Sequence, residues 1–240
     1  MTKVQFMLKW SGRWVVVALM MVPLLMSCQP KSDTSTVSET GQIATESPAW
    51  PSTKLEGKES APDSVRLSQK ITFRQSNGVP EFSLQFKPTG GKLLDGAGKV
   101  IANLILESDG ALRLTDVSNA VVGYVVRTES SIRIESPKRS KTLFSFAQGS
   151  DGNALLTRNN GSTVYQLNAT DDGYEIATDK AALYIVSARK GIGQLQTSEG
   201  QTLMSSEGAI APSAIAAFGF DKLTQAQQAG LAYMLSAEAI

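Results

Sequence analysis

The stretch "KVIANLILESDGALRLTDVSNAVVGYV", Lys99 to Val125, sets the fold. Ala102, Leu104 and Leu106 fall on one side of an extended chain, with Asn103 on the other. Leu112 and Leu114 repeat the alternation after Asp109-Gly110. A period of two interrupted by a turn signal describes a half-buried β-hairpin. The same grammar runs outward in both directions, through "EFSLQFKP", "SIRIES", "KTLFSFAQ", "NALLTR", "STVYQL", "GYEIAT", "ALYIVSA" and "GQLQTS". Between these runs fall Asn77-Gly78, Asp95-Gly96, Asp109-Gly110, Asp151-Gly152, Asn160-Gly161 and Asp172-Gly173, pairs that favour primed hairpin turns. No helical run long enough for parallel crossovers interrupts them. The expected fold is therefore mainly β: an antiparallel meander of roughly a dozen strands closing into a barrel or sandwich. "KVIANLILESDGALRLTDVSNAVVGYV" and "STVYQLNATDDGYEIATDKAALYIVSA" follow the same order of elements, so the two halves read as loosely repetitive.

The end of the chain changes character. "PSAIAAFGFDKLTQAQQAGLAYMLSAEAI" is rich in helix formers, and Thr224 with Gln227 has the spacing of a capping box. A helix over about 222–238 leaves Gln225, Gln228, Ala232 and Ser236 in one narrow stripe. Leu223, Ala226, Gly230, Leu231, Tyr233 and Met234 spread over the rest. A helix apolar nearly all round is a buried helix, and this one is too short to span a bilayer. The expectation is one apolar C-terminal helix packed in or against the sheet. A long meander closed by "AGLAYML", with turns such as "GKLLDGAGKV" and "DGYEIATDKAALYIV", resembles the tubby-like superfamily, which includes the LURP-one-related proteins and the scramblases. That resemblance covers about 66–240. It implies a closed barrel enclosing a hydrophobic C-terminal helix, and no lipid-head-group residue carries over to a matching position.

The start of the chain supplies an address. Lys3, Lys9 and Arg13 precede an uncharged run from Trp14 to Met26, and no acidic residue appears before Asp33. Thirteen residues make a helix of about 20 Å, shorter than a bilayer core requires. A basic start, a short apolar run and small residues at its end describe a secretory signal. The run closes on Leu25-Met26-Ser27-Cys28, which resembles the lipobox of bacterial lipoproteins. The resemblance implies cleavage between Ser27 and Cys28, diacylation of the Cys28 thiol and a membrane anchor at the new N-terminus. The expected domains are a signal peptide (1–27), a lipidated cysteine with a tether (28–65) and a β-rich domain (66–240). Gln29 is not the aspartate that resembles an inner-membrane retention signal, so the outer membrane, on its periplasmic or surface face, is the expected location in the bacterial envelope.

Composition supports the division. From Gln29 to Val65, Ser and Thr make up twelve of thirty-seven residues and Pro stands at 30, 48, 51 and 62. Such a segment buries too little apolar surface to offset its ordering entropy. Trp50, in "SPAWPS", is the exception: either a docking anchor for a partner or for the chain's own domain, or a linker aromatic. Cys28 is the sole cysteine, so a lipidated chain has no thiol left for a disulfide. Removing three basic residues takes the charge from 23 − 22 = +1 to 20 − 22 = −2. That balance offers nothing to nucleic acid.

The sequence holds no histidine. This removes Ser-His-Asp and Cys-His nucleophiles and histidine-ligated zinc. Ser187-Ala188-Arg189-Lys190 matches Ser-x-x-Lys, the signature resembling penicillin-binding proteins, but it follows "ALYIV" and runs into Gly191, which reads as a hairpin. Asn168 to Asp179 imitates a calcium loop with too few carboxylates and no bidentate Glu. Lys138, Arg139 and Lys141 form a small basic cluster that reads as a solvated turn. No catalytic, cofactor or metal site is expected. The sequence reading is a non-catalytic module tethered to a membrane through Cys28, with a lipid or an envelope protein as ligand. A structural or assembly factor of the envelope is the alternative, and a carboxylate- or Ser-Lys-based hydrolase stands third.

Overall fold

The computed structural model describes residues 69–237. The signal segment, Ser27, Cys28, the tether and the expected boundary at residue 66 lie outside them. The described chain is a closed antiparallel barrel of fourteen strands wrapped around a helical hairpin.

The strands are β1 (Lys70–Gln75), β2 (Pro80–Lys87), β3 (Gly90–Asp95), β4 (Val100–Leu106), β5 (Leu112–Asp116), β6 (Val121–Arg127) and β7 (Ile132–Glu135). They continue as β8 (Thr142–Gln148), β9 (Ala154–Arg158), β10 (Thr163–Thr170), β11 (Gly173–Ala177), β12 (Ala182–Arg189), β13 (Ile192–Thr197) and β14 (Thr202–Glu207). Each pairs with its neighbours in sequence, and β14 returns to β1 with Thr72 opposite Glu207. An even-numbered meander brings its first and last strands together antiparallel, so the barrel closes on regular pairing and leaves no edge.

The soft two-half repeat of the sequence is a shorter repeat in space. Every hairpin that starts on an odd-numbered strand carries a break in register near its turn. The alternate pairings, including β14 with β1, carry none. Next to these breaks the inward residues are Phe73, Leu93, Leu114, Ile134, Leu156, Ile176 and Leu195, spaced 19 to 22 residues apart. All but Ile134 and Ile176 are followed two residues on by a turn whose first N–H donates to the carbonyl of its fifth residue, as Asp116 N does to Ala120 O at 3.0 Å. Bulges add local twist and bend the strand. Seven of them at one end give the sheet the curvature that closure needs.

The turns differ from the primed type expected. At Gly78, Gly110, Gly152 and Gly161 only the glycine takes positive φ, about +80° in each case. The Asx residue before it accepts from the N–H two residues on, as Asp109 Oδ1 does from Ala111 N at 3.0 Å. The side-chain hydrogen bond holds the Asx residue in the ordinary region and leaves the left-handed step to glycine. Gly96 and Gly173 have no positive φ. A two-residue turn with both φ positive occurs instead at Lys190 (52°) and Gly191 (78°).

The interior is filled by two helices. α1 (Pro212–Ala216) enters from the end where β14 finishes and runs into a single 3-10 turn, Ala217–Gly219. α2 (Gln225–Ala237) then returns through the barrel. The capping box forms as the sequence predicts: Thr224 N donates to Gln227 Oε1 at 3.0 Å, and Gln227 N donates to Thr224 Oγ1 at 3.3 Å. Ala229, Gly230, Leu231, Ala232, Met234 and Leu235 are buried. Glycines set the spacing. A Cβ on Gly230 would lie 2.8 Å from Val125 Cγ2 and 2.9 Å from a Leu114 methyl, and one on Gly193 would overlap Ile215 Cδ1. Arg127 reaches from the end of β6 to the Met234 carbonyl, placing a cation on the last turn of α2.

Leu231→Ala removes a side chain that touches no solvent, and its expected cost is about 2–5 kcal/mol. Gly230→Val overpacks the approach of α2 to Leu114 and Val125, at about 1–3 kcal/mol. Gln225→Ala, on the exposed first turn, stays within about 0.5 kcal/mol of the parent. Urea unfolding of the three variants checks the order.

Candidate functional site

The two ends of the barrel are unlike. Gln69 and α2's last turn lie at the end of the plain turns. The bulged end holds the loop that joins the two helices, and the site forms around it.

The loop is tied down from three sides. Gln228 Nε2 donates to the Phe220 carbonyl at 3.0 Å and to that of Phe218 at 3.5 Å. Tyr165, on β10, donates its hydroxyl proton to Asp221 Oδ1. Its ring stacks on Phe220 at 5.1 Å between centroids. Burial, reinforced by the Asp221 carboxylate, pushes the Tyr165 phenol far above its ordinary pKa. Phe218 is only half-buried. It leans on Phe73 and Phe82 at 4.8 Å each, and those two rings stack on each other at 4.6 Å.

Beside Phe218 lies a cleft of about 110 Å³. Phe82, Leu93, Met204 and Phe218 make its apolar walls, and Glu81, Gln225 and Gln228 supply polar groups. Val79 and Leu203, at or just before the starts of the strands that carry Glu81 and Met204, are exposed. One carboxylate and two amides beside aromatic walls suit an apolar group carrying a single donor. A larger depression of about 380 Å³ at the opposite end is shallow, with Asp171, Asp172 and Tyr174 in its lining. Asp172 is already engaged by Arg189.

The residues singled out in the sequence fall elsewhere. Leu223, Gly230, Leu231 and Met234 are buried, and Ala226 is half-buried, so these side chains fill the lumen. Tyr233 stacks on Phe86 at 5.7 Å and donates to the Lys87 carbonyl at 3.0 Å. Ser187 lies on β12 and Lys190 in the turn beyond it, as the hairpin reading has it. Asn168 to Asp179 is strand, turn and strand. Arg139 bridges Asp109 at 2.7 Å and Glu135 at 3.5 Å and sits over the Tyr124 ring at 5.2 Å. Among the described residues no group of three or more Asp or Glu is arranged to hold a metal ion. The cleft residues went unnoticed in the sequence because Glu81 and Gln228 stand 147 residues apart. The one signal available was the polar stripe on α2, since Gln225 and Gln228 of that stripe reach the cleft.

No family model matches the chain, and no curated protein matches it. Among solved structures the chain is similar to the crystal structure of BamB from Moraxella catarrhalis, with 11% identity and a TM-score of 0.24. The match covers 55% of this chain and 62% of that one, under two thirds of its length. At that TM-score the likeness carries no argument.

The Tyr165 pin has a pH signature. Its folded pKa is raised above the unfolded value, so the stability it contributes is complete below about pH 10 and is lost as pH rises further. Tyr165→Phe cannot ionise. Urea midpoints measured from pH 8 to 11 should fall more steeply for the parent than for Tyr165→Phe.

Proposed function

We propose that this chain is a bacterial envelope lipoprotein. Its signal segment (1–27) is removed, Cys28 carries the lipid, and residues 28–65 tether a non-catalytic barrel that binds an envelope protein. The outer membrane is the address, on its periplasmic or surface face. The tubby-like resemblance belongs to the same proposal, since a closed barrel around a hydrophobic terminal helix is what it implies.

The observation that carries the reading is the polarity of the barrel. Gln69, where the tether joins, lies at the end of the plain turns, and the apolar cleft opens at the bulged end. A described chain that begins at one end and a docking place at the other support a module that stays at a membrane and reaches for a partner. The cleft's size favours a protein over a lipid. About 110 Å³ receives one large side chain, while Leu231, Ala232 and Leu235 occupy the lumen that an acyl chain would need. A role in envelope assembly is the form this takes if the partner is itself part of the envelope machinery. Two or more acyl chains anchor a protein stably where one does not, which fits a lipidated Cys28.

Mass spectrometry of the detergent-extracted protein should find a mature chain beginning at Cys28 and heavier than its amino acids by the acyl groups. Cys28→Ser should abolish the added acyl mass and the cleavage before residue 28, leaving a chain that either keeps its signal segment or is cut elsewhere and released from the membrane fraction. A parent protein recovered in the soluble fraction at its unmodified mass refutes the anchor.

A further inference from the structure

We infer that Trp50 of this chain's own tether is the resident occupant of the cleft, a strap that a partner must displace. This rests on the cleft being the docking place proposed above.

The walls of the cleft fit an indole. Phe82 and Phe218 offer ring faces and edges, Leu93 and Met204 complete the apolar surface, and the Glu81 carboxylate or a glutamine amide oxygen can accept the indole N–H. The cleft is sized for one such ring, and the tether offers one. Tryptophan occurs at positions 10, 14 and 50, so Trp50 is the only one beyond the signal segment, and none lies in the barrel.

The length of the connection permits the contact. Trp50 and Gln69 are 69 − 50 = 19 residues apart. A chain of that length reaches about 60 Å when extended and about 25 Å root-mean-square when flexible. A six-residue strand such as β1 is about 20 Å long, so the bulged end is within range of a link leaving the other end. Held on such a link, Trp50 faces the cleft at an effective concentration on the order of millimolar, enough to populate a weak contact. Its neighbours favour the same outcome. Pro48 and Pro51 bias the residues before them, Ser47 and Trp50, away from helical backbone, which lowers the entropy lost on docking against aromatic walls.

A seated indole also accounts for a feature of the bulged end. Phe218 and Met204 are only half-buried and line the cleft, which leaves apolar surface open there. An indole covers both until a partner with a better side chain arrives. Binding would then be an exchange, and its apparent affinity would be reduced by the fraction of time the strap is seated.

Fluorescence decides the matter, because the full chain carrying Trp10→Phe and Trp14→Phe has Trp50 as its sole emitter. The expected result is emission shifted to the blue of the same chain in urea, with acrylamide quenching a fraction of that in urea. Met204→Glu, which sets a carboxylate into the wall, and Gln225→Arg, which crowds the exposed lip, should both move emission and quenching to the urea values in a barrel still folded by circular dichroism. If Met204→Glu unfolds the barrel, Gln225→Arg decides alone. Emission that matches the urea value in the parent overturns the strap. So does a protected Trp50 that ignores both variants, which would mean shielding by detergent or another surface. Capture of an envelope protein by a parent chain whose Trp50 is already exposed before the partner is added overturns the strap while leaving the docking function standing.

Discussion

A barrel of fourteen strands is too wide to fill with its own side chains, and everything else in this structure follows from that constraint. About eight strands is the size at which inward side chains meet across the axis. Here the inward residues of opposite walls cannot meet, so the chain supplies a second layer from its own C-terminus. The fit depends on removing atoms at the points of closest approach. Gly230 lets α2 lie against Leu114 and Val125, and Gly193 opens a socket in β13 for Ile215. The Gly230 contact joins the last quarter of the chain to strands made much earlier. The sheet alone would enclose a void, and the helices alone would expose apolar surface on nearly every side.

Closure imposes the next demand. A sheet this wide must curve evenly, and a bulge in every second hairpin distributes the bend. Placing all seven at one end makes the two ends different structures. The plain end receives both ends of the described chain, with Arg127 and Lys87 gripping the last turns of α2. The bulged end receives the turn between the helices. The proposed function rests on that asymmetry, and the asymmetry is a by-product of the way the barrel is bent.

The strand content was legible because its signal is local. Alternation in "ALRLTD" is a property of six adjacent residues, and burial follows it: Leu112 and Leu114 are buried while Arg113 is half-exposed. The terminal helix was legible for a similar reason, since an apolar surface nearly all round has to be enclosed, and Thr224 with Gln227 marked its start. Turn type was harder. Asx-Gly favours a primed turn only in a two-residue loop, and here longer loops let the Asx side chain take a backbone N–H instead. The cleft was not legible, because Phe82, Met204 and Phe218 come from three distant segments and each reads alone as ordinary core. Gly193 shows the same limit. In the sequence it opens the run "GQLQTS", and only the position of Ile215 reveals the space it leaves.

The cleft and the core are therefore one problem viewed from two sides. The helical hairpin must turn at the bulged end, and a turn of Ala217–Gly219 followed by a cap at Thr224 cannot tile that opening as closely as α2 tiles the walls. Its carbonyls need donors, which Gln228 provides, and Asp221 needs one too, which Tyr165 provides. Phe220 is fully buried beside these ties, and Phe218 is left half-buried against Phe73 and Phe82. On the proposed docking role, a side chain seated against Phe218 would complete the packing that the turn leaves unfinished. Bound only by the folded chain, it would add its binding energy to the stability of the barrel. The loop that limits how well the lumen can be closed would then also couple closure to docking.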